Sequence, residues 1–316
     1  MAALLTAVAA GAPVGAAGEV PGAAAAGGRI DPETRRDALA AMRGEAYAHA
    51  AYLAYAVQAG REGLPRVREL YEDVAGTELR EHFTEQAELV GMVGDDAANL
   101  RDAMAGESYE AATMYRRFAT EAKTDGDFAA ANRFSEIAKD ESAHHDAFAR
   151  ALRAVTDPSS GATVPAGRTA ESKGIPAGPP RADKARTLRN LRTAMEGEAF
   201  AHAMYTLYAE RARASGQPAL ARLFERTARV ELAEHFAEEG RLAGLVRDTR
   251  TNLCTAISGE TREGTETYPG YARRAAEAGD RAAARRFEEV AADELGHARR
   301  FRDALAALGG TCPGSG

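Results

Sequence analysis

The strongest constraint on this chain is that it contains nearly the same sequence twice. The segment at 42–49 recurs at 195–202, and the segment at 81–83 recurs at 234–236. Both pairs are offset by 153 residues, so one duplication without gaps explains them. Both copies should therefore adopt one fold, and 316 residues suffice for two domains of ordinary size.

Each copy is predicted to form four helices and no strands. Alanine is abundant, tryptophan is absent and runs of β-branched residues are missing, which favours helix throughout. Proline near a helix start and glycine after a helix end mark the boundaries. In the first copy the signals predict helices from Asp31-Pro32 to about Gly60, from Leu64-Pro65 to Gly91, from Asp95 or Asp96 to Asp125, and from about Asp127 to Thr156.

The segments outside the two copies are rich in alanine, glycine, proline and serine. Residues 1–28 lack the positive region of a signal peptide, so a flexible tail is favoured over a cleaved signal. We therefore expect a tail over 1–30, a four-helix repeat over 31–156, a linker over 157–182, a second repeat over 183–309 and a tail over 310–316.

Charge, hydropathy and cysteine content exclude several classes of protein. The net charge of −7 is mild and the charges are interspersed, which does not indicate a nucleic-acid surface. No segment has the roughly 18 consecutive apolar residues of a membrane span. Cys254 and Cys312 form no C-x-x-C pair, so we expect neither a disulfide framework nor a thiolate metal site. A reducing, cytoplasmic compartment fits this pattern.

Polar residues occupy positions that the helical periodicity predicts to be buried in the core. On the fourth helix, Phe134, Ile137 and Phe148 form an apolar stripe, and Glu141 and His144 lie in its gap. The same phase places further carboxylates and imidazoles inside: Glu45, His49, Glu78, His82, Glu107 and Glu110 in the first copy, and Glu198, His202, Glu231, His235, Glu260, Glu263, Glu294 and His297 in the second.

These buried charges require partners. Burying an unpaired carboxylate costs several kcal/mol or neutralises the group, and no lysine or arginine lies in phase with the set. Two divalent cations would neutralise it, and carboxylates with imidazoles suit iron or manganese. A lone Glu-x-x-His pair is usually a solvated surface pair, but here the whole set recurs. His145, whose counterpart is Ala298, is interpreted as a surface residue.

With these motifs, the chain resembles a tandem rubrerythrin-type diiron protein of the ferritin-like superfamily. The third helix of each copy is similar to the family's Glu-x-x-Glu helix, the last to its Glu-x-x-His pair and the first to its Gly-Glu motif. The residues that carry the resemblance are Glu107, Glu110, Met114 and Tyr115 with Glu260, Glu263, Tyr268 and Pro269; Glu141 and His144 with Glu294 and His297; and Gly44-Glu45 and Tyr52 with Gly197-Glu198 and Tyr205.

The resemblance implies an all-α fold of two ferritin-like four-helix bundles with two diiron centres, manganese being the alternative metal. It implies reduction of hydrogen peroxide with electrons from an external donor; neither a nucleic acid nor a membrane is expected as a partner. Tyr52, Tyr115, Tyr205 and Tyr268 would hydrogen-bond the ligands as catalytic residues, or are plain core tyrosines. The implied ligands are Glu45, Glu78, His82, Glu107, Glu110, Glu141, His144, Glu198, Glu231, His235, Glu260, Glu263, Glu294 and His297.

Three departures from the family pattern bear on the site. On the second helix, Glu78 and His82 are one residue further apart than in the family's Glu-x-x-His, as are Glu231 and His235. A one-residue π-bulge would restore the usual facing of each pair, and even without one residues i and i+4 share a helix face; Glu81 and Glu234 are the alternative ligands. His49 and His202 are additions, as a further ligand or an outer hydrogen-bond donor. A rubredoxin-like cysteine domain is missing from this sequence.

The joint between the second and third helices predicts an exchange between the copies. In an up-down-down-up bundle this joint must span roughly 35–40 Å, but residues 91–96 reach only about 20 Å when extended. We therefore expect the first two helices of each copy to pack with the last two of the other. The alternative is a plain up-down-up-down bundle within each copy.

Two other classes of function stay open at this point. A dioxygen-activating diiron oxidase or oxygenase acting on a small organic substrate would need a pocket beside the metals. A ferroxidase or iron-binding protein that stores iron would need a shell assembly, for which no feature is visible. Metal binding without catalysis is the remaining alternative.

Overall fold

The computed structural model of this protein describes residues 30–313. Residues 1–29 of the tail expected over 1–30, and residues 314–316 of the tail expected over 310–316, lie outside this part. The described chain contains eight long helices and no strand, and none of these helices is long and apolar enough to cross a membrane. The helices are α1 (Pro32–Arg61), α2 (65–90), α3 (96–125), α4 (Phe128–Thr156), α5 (Ala185–Ala214), α6 (218–243), α7 (249–277) and α8 (Arg281–Ala307).

Local signals placed the helix ends correctly. The Asp31 carboxylate accepts a hydrogen bond from the backbone N–H of Glu33 at 2.7 Å and so caps α1. Gly91, with φ of 64°, ends α2 in the left-handed conformation. The cap of α3 is Asp95 rather than Asp96, because its carboxylate accepts from the N–H of Ala98 at 2.7 Å.

The two copies exchange helix pairs, as the joint length predicted. Helices α1 and α2 pack with α7 and α8 in bundle one, while α5 and α6 pack with α3 and α4 in bundle two. Helix α2 ends at Val90 and α3 starts at Asp96, so the chain has no room to return along its own bundle. The up-down-up-down alternative is therefore wrong.

Helices α1 and α5 pack against each other and join the two bundles. Alanines on both helices, including Ala46 and Ala199, are completely buried and let the backbones approach closely. The Arg192 guanidinium lies over the Tyr47 ring, 3.7 Å from its centroid, and adds a cation–π contact. The two metal-binding candidates described below therefore belong to one continuous helical core.

Four of the helices contain a π-helical turn. The turns at Glu78–Phe83 and Glu231–Phe236 are the bulges that restore the facing of each Glu and His pair. The wider i→i+5 turn brings side chains four residues apart to one face, so His82 Nδ1 lies 3.0 Å from Glu78 Oε2. Two further π-helical turns, Glu110–Met114 and Glu263–Thr267, were not anticipated from the sequence.

The two cysteines form a disulfide, so the expectation that this chain has no disulfide framework is wrong. After α8 the chain reverses at Gly309, where φ is 66°, and Arg250 on α7 donates to the Leu308 carbonyl at 2.7 Å. This return brings Cys312 beside Cys254, with 5.4 Å between their Cα atoms. Spacing alone does not reveal such a return. Cysteine usage consequently no longer supports a reducing compartment.

Candidate metal centres

Each bundle encloses one cluster of carboxylates and imidazoles, drawn half from each copy. The twelve residues are at most 7% exposed, so both clusters are shielded from solvent. Site one consists of Glu45, Glu78 and His82 from the first copy with Glu260, Glu294 and His297 from the second; site two consists of Glu198, Glu231 and His235 from the second copy with Glu107, Glu141 and His144 from the first.

Each site divides into two adjacent donor groups that share two carboxylates. In site one, one group has Glu45 and His82, the other has Glu260 and His297, and both contain Glu78 and Glu294; the ligand atoms of a group lie within 4.8 Å of one another. In site two the shared carboxylates are Glu141 and Glu231. Two groups with shared carboxylates are the arrangement that a pair of bridged cations requires.

The imidazoles turn the same atom towards the carboxylates. His297 Nδ1 lies 3.2 Å from Glu78 Oε1, and His144 Nδ1 lies 3.1 Å from Glu231 Oε1. In both cases the histidine and the glutamate come from different copies, because the swap brings α8 to α2 and α4 to α6. Each donor group therefore combines ligands from both copies.

Two aspartates at the outer side of the sites were missed by the sequence analysis. His235 Nε2 lies 3.4 Å from Asp140 Oδ2, and His82 Nε2 lies 3.5 Å from Asp293 Oδ2. The hydrogen bond between Asp140 and the far nitrogen of His235 fixes that ring and raises the basicity of the nitrogen that faces a metal, whereas Asp293 lies near His82 Nε2 without a hydrogen bond. The signal was available, since both aspartates directly precede a ligand glutamate and are offset by 153 residues.

The four tyrosines contact site carboxylates of the other copy, which is one of the two alternatives that the sequence left open for them. The Tyr205 hydroxyl donates to Glu107 Oε1 at 2.6 Å, and the Tyr52 hydroxyl donates to Glu260 Oε1. In the same way the Tyr115 hydroxyl donates to Glu198 Oε1, and the Tyr268 hydroxyl donates to Glu45 Oε1. Each hydroxyl therefore orients one carboxylate of its site, and each carboxylate turns its other oxygen towards a histidine of the same site.

In the metal-free chain the clusters are balanced by protons. Burial raises the pKa of Glu78 to about 7 and that of Glu260 to about 8. Burial lowers the pKa of His297, but its hydrogen bonds to Glu260, Glu294 and Glu78 outweigh this effect and raise the pKa to about 12. Each site therefore gathers more negative charge than protein cations neutralise, and bound protons make up the difference.

The hydrogen bonding of the clusters fits metal ions. Several buried carboxylate oxygens make no hydrogen bond of regular geometry and are approached only by a histidine Nδ1, at 2.8–3.5 Å: Oε1 of Glu78 and Glu294 and Oε2 of Glu260 in site one, and Oε2 of Glu107, Oε1 of Glu141 and both oxygens of Glu231 in site two. One Nδ1 cannot donate to several carboxylates at once, so burying this many acceptors is unfavourable unless a cation completes their coordination.

Two of the expected ligands lie beside the donor groups rather than in them. Glu110 and Glu263 are half-buried and belong to none of the four groups. The position of a Cβ added to Gly197 would be 3.2 Å from Glu110 Oε1, and one added to Gly44 would be 3.7 Å from Glu263 Oε1. The glycine of each Gly-Glu motif therefore leaves space for the carboxylate that approaches from the other copy.

Several other candidates do not face the sites. Glu81, an alternative ligand, is exposed, and Glu234 binds Arg168 at 2.7 Å instead. The added histidines contact backbone: His49 Nδ1 lies 2.7 Å from the Ala75 carbonyl, and its counterpart His202 makes the equivalent contact at 2.8 Å. The side chain of His145 is 34% exposed and lies 3.3 Å from Asp146, outside both clusters.

Comparison with known proteins agrees with this geometry. A family model described as rubrerythrin matches residues 39–152 and again residues 189–305. The chain is 37% identical over 131 residues to rubrerythrin of Nitratidesulfovibrio vulgaris, which covers 37% of this chain and 68% of that protein. It is 36% identical over 128 residues to nigerythrin of the same organism, an alignment that covers 36% of this chain and 63% of that protein. It is 35% identical over 134 residues to rubrerythrin of Porphyromonas gingivalis, which covers 38% of this chain and 66% of that protein.

The matched segments cover most of both helical repeats of this chain. The chain spans about two thirds of the length of these curated relatives. The search of solved structures returned no match. The two segments matched by the family model together make up more than half of the chain and include all twelve residues of the two sites. The chain belongs to the rubrerythrin family.

Proposed function

We propose that this protein is a non-haem diiron oxidoreductase that reduces hydrogen peroxide with electrons from an external donor. The observation that carries the proposal is the pair of carboxylates shared by two donor groups in each site, Glu78 with Glu294 and Glu141 with Glu231. Membership of the rubrerythrin family supports iron as the metal. We propose the twelve site residues as ligands, with Glu110 and Glu263 as further carboxylates available at the edge of each site.

Iron would supply the electrons: two ferrous ions in one site give up the two electrons that, with two protons, convert one hydrogen peroxide into two waters. The protein holds protons next to the ligands. Burial and the negative charge of Glu260 raise the pKa of Tyr52 well above its usual value, and burial with Glu45 does the same for Tyr268. Both hydroxyls therefore stay protonated at neutral pH and are available as donors at Oη.

The surroundings of the sites favour a small oxidant over an organic substrate. A cavity of about 530 Å³ between α3 and α4 is lined by Arg116, Ser135 and Lys139 among others, and by none of the twelve site residues. An oxygenase would need such space beside its metals. Both cysteines of this sequence are held in a disulfide, so we propose that electrons come from another molecule.

An anaerobic titration tests the proposal. The metal-free chain is loaded with ferrous iron, bound iron is counted, and peroxide and dioxygen are added separately. We expect four irons per chain, and oxidation by peroxide much faster than by dioxygen. Faster reaction with dioxygen would favour the oxidase or oxygenase, and continued uptake of iron well beyond four per chain would favour storage. Fewer than two irons per chain would contradict metal-dependent function altogether.

Variants of the shared carboxylates provide the control. Glu294→Ala should remove the iron of site one and Glu141→Ala that of site two, each leaving two irons per chain. Glu88→Ala changes an exposed glutamate on α2 and should leave four irons. If all three variants retained four irons, the shared carboxylates would not be ligands.

A further inference from the structure

At one buried position near the sites, the second copy has a carboxylate where the first copy has an amide. Glu239 on α6 and Gln86 on α2 are counterparts at the offset of 153 residues, and both side chains are completely buried. The ligand residues of the two sites are identical in type between the copies. Glu239 and Gln86 therefore make the surroundings of the ligands different in the two sites. It places an additional carboxylate beside site two and a neutral amide beside site one.

Glu239 is connected to a ligand through a tyrosine. The Tyr115 hydroxyl lies 2.9 Å from Glu239 Oε1 and also contacts Oε1 of Glu198, a ligand of site two. In site one the corresponding hydroxyl, Tyr268, contacts the ligand Glu45, and neither polar atom of the Gln86 amide has a hydrogen-bond partner. The three-member arrangement of carboxylate, tyrosine and ligand is thus specific to site two.

A hydroxyl between two carboxylates changes the ligand. Tyr115 has one hydrogen, so it donates to Glu198 or to Glu239 but not fully to both. To the extent that Glu239 accepts this hydrogen, the lone pairs of Glu198 remain available to a cation. A carboxylate behind a ligand also adds negative charge close to the cations, and such outer partners typically change metal affinity by about 10–100-fold.

We infer that the two sites are not equivalent and that Glu239 makes site two bind divalent cations more tightly than site one, where Gln86 takes its place. The inference rests on the proposed function, because it assumes that both clusters hold metal. Glu239 acts as a positioning residue through Tyr115. Burial and the charge of Glu198 raise the pKa of Glu239 in the metal-free chain, and cations bound at Glu198 would oppose that rise.

The experiment is an anaerobic titration of the metal-free full chain with Mn²⁺, in which free Mn²⁺ is counted by its electron paramagnetic resonance signal. We expect two pairs of bound ions whose dissociation constants differ by about tenfold or more. Glu141→Ala should remove the tighter pair and Glu294→Ala the weaker one. Four ions of equal affinity would overturn the inference and leave the proposed function intact, whereas no binding would overturn the proposed function itself.

Exchange of the two residues tests the cause. Glu239→Gln should weaken the tighter pair until the two sites bind alike, and Gln86→Glu should tighten the weaker pair. The gain expected for Gln86→Glu keeps the test informative if Glu239→Gln folds poorly. Glu88→Gln, an exposed change of the same chemistry, should alter neither pair. A purely structural role for Glu239 would lower thermal stability without changing the ratio of the two affinities, and that result would contradict the inference.

Discussion

The imidazole rings of His49 and His202 are stacked at the contact between α1 and α5, with centroids 5.5 Å apart and planes inclined by 8°. Each ring donates from Nδ1 to a carbonyl, that of Ala75 or Ala228, three residues before a π-helical turn that carries ligands. The two histidines are therefore outer donors rather than ligands, and they link the π-helical turns of both sites through one contact.

Removing this donor should destabilise the chain. His49→Leu leaves the Ala75 carbonyl without its side-chain partner and should lower the free energy of unfolding by roughly 1 kcal/mol. His49→Asn retains a donor close to the position of Nδ1 and should lose less. Denaturant unfolding of the metal-free chain measures both. Equal losses for the two variants would show that ring packing, and not the hydrogen bond, accounts for the effect.

The exchange of helices between the copies predicts how many metal ions remain bound when two ligands are removed together. Glu45 and Glu294 belong to site one, although they come from different copies, whereas Glu141 belongs to site two. The double variant Glu45→Ala/Glu294→Ala should retain two metal ions per chain, while Glu45→Ala/Glu141→Ala should retain none, because the second variant damages both sites. Metal analysis after desalting gives the count. The opposite pattern would mean that each copy builds its own site.

The stability of the metal-free chain should fall as the pH rises from 6.5 to 8. Burial raises the pKa of Glu260 to about 8, and carboxylate hydrogen bonds raise that of His297 to about 12 despite its burial. Both groups bind protons more tightly in the folded state than in the unfolded state. The folded chain therefore holds more protons in this window, and each such group costs up to about 1.4 kcal/mol per pH unit.

Divalent cations should remove this dependence. Metal ions replace the protons at the carboxylates and histidines, so loading at pH 7 should release protons, which a pH electrode in weakly buffered solution detects. Unfolding curves of metal-free and Mn²⁺-loaded chain at pH 6.5 and pH 8 complete the comparison. Burial and the nearby His202 lower the pKa of His49 to about 4, so this residue makes the folded chain more stable as the pH rises. Its effect falls mainly below pH 6.5. A metal-free chain more stable at pH 8 would contradict the prediction.

The disulfide should stabilise the fold without affecting the sites. Cys254 and Cys312 are 58 residues apart in sequence, and a bridge of that span typically contributes about 2–4 kcal/mol by restricting the unfolded chain. Cys254→Ser/Cys312→Ser should therefore unfold at lower denaturant concentration and still bind four metal ions. Reductant should shift the native chain in the same direction and leave the double variant unchanged; identical curves for both proteins without reductant would refute a stabilising bridge.

Much of the site was predictable because the relevant information is local or repeated. The i, i+3 and i, i+4 spacings put Glu141 and His144, or Glu78 and His82, on one helix face. Because the same residues recur 153 positions later, their placement on that face could not be dismissed as a chance pattern. The short joint after Gly91 predicted the exchange, because chain length limits where a helix can go. Helical phase, however, identifies a face and not a distance between helices, so it could not distinguish Glu107, inside a donor group, from Glu110, beside one.

The sequence by itself determined the two helical repeats, their boundaries and the residue types of the two sites, since these follow from backbone preferences and periodicity within single helices. Only the tertiary structure decided that Glu78, Glu231, Glu141 and Glu294 are the shared carboxylates, that Glu239 approaches Glu198 through Tyr115, and that Cys312 returns to Cys254. These relationships join side chains from helices far apart in sequence, and their distances depend on how the packed core brings those helices together.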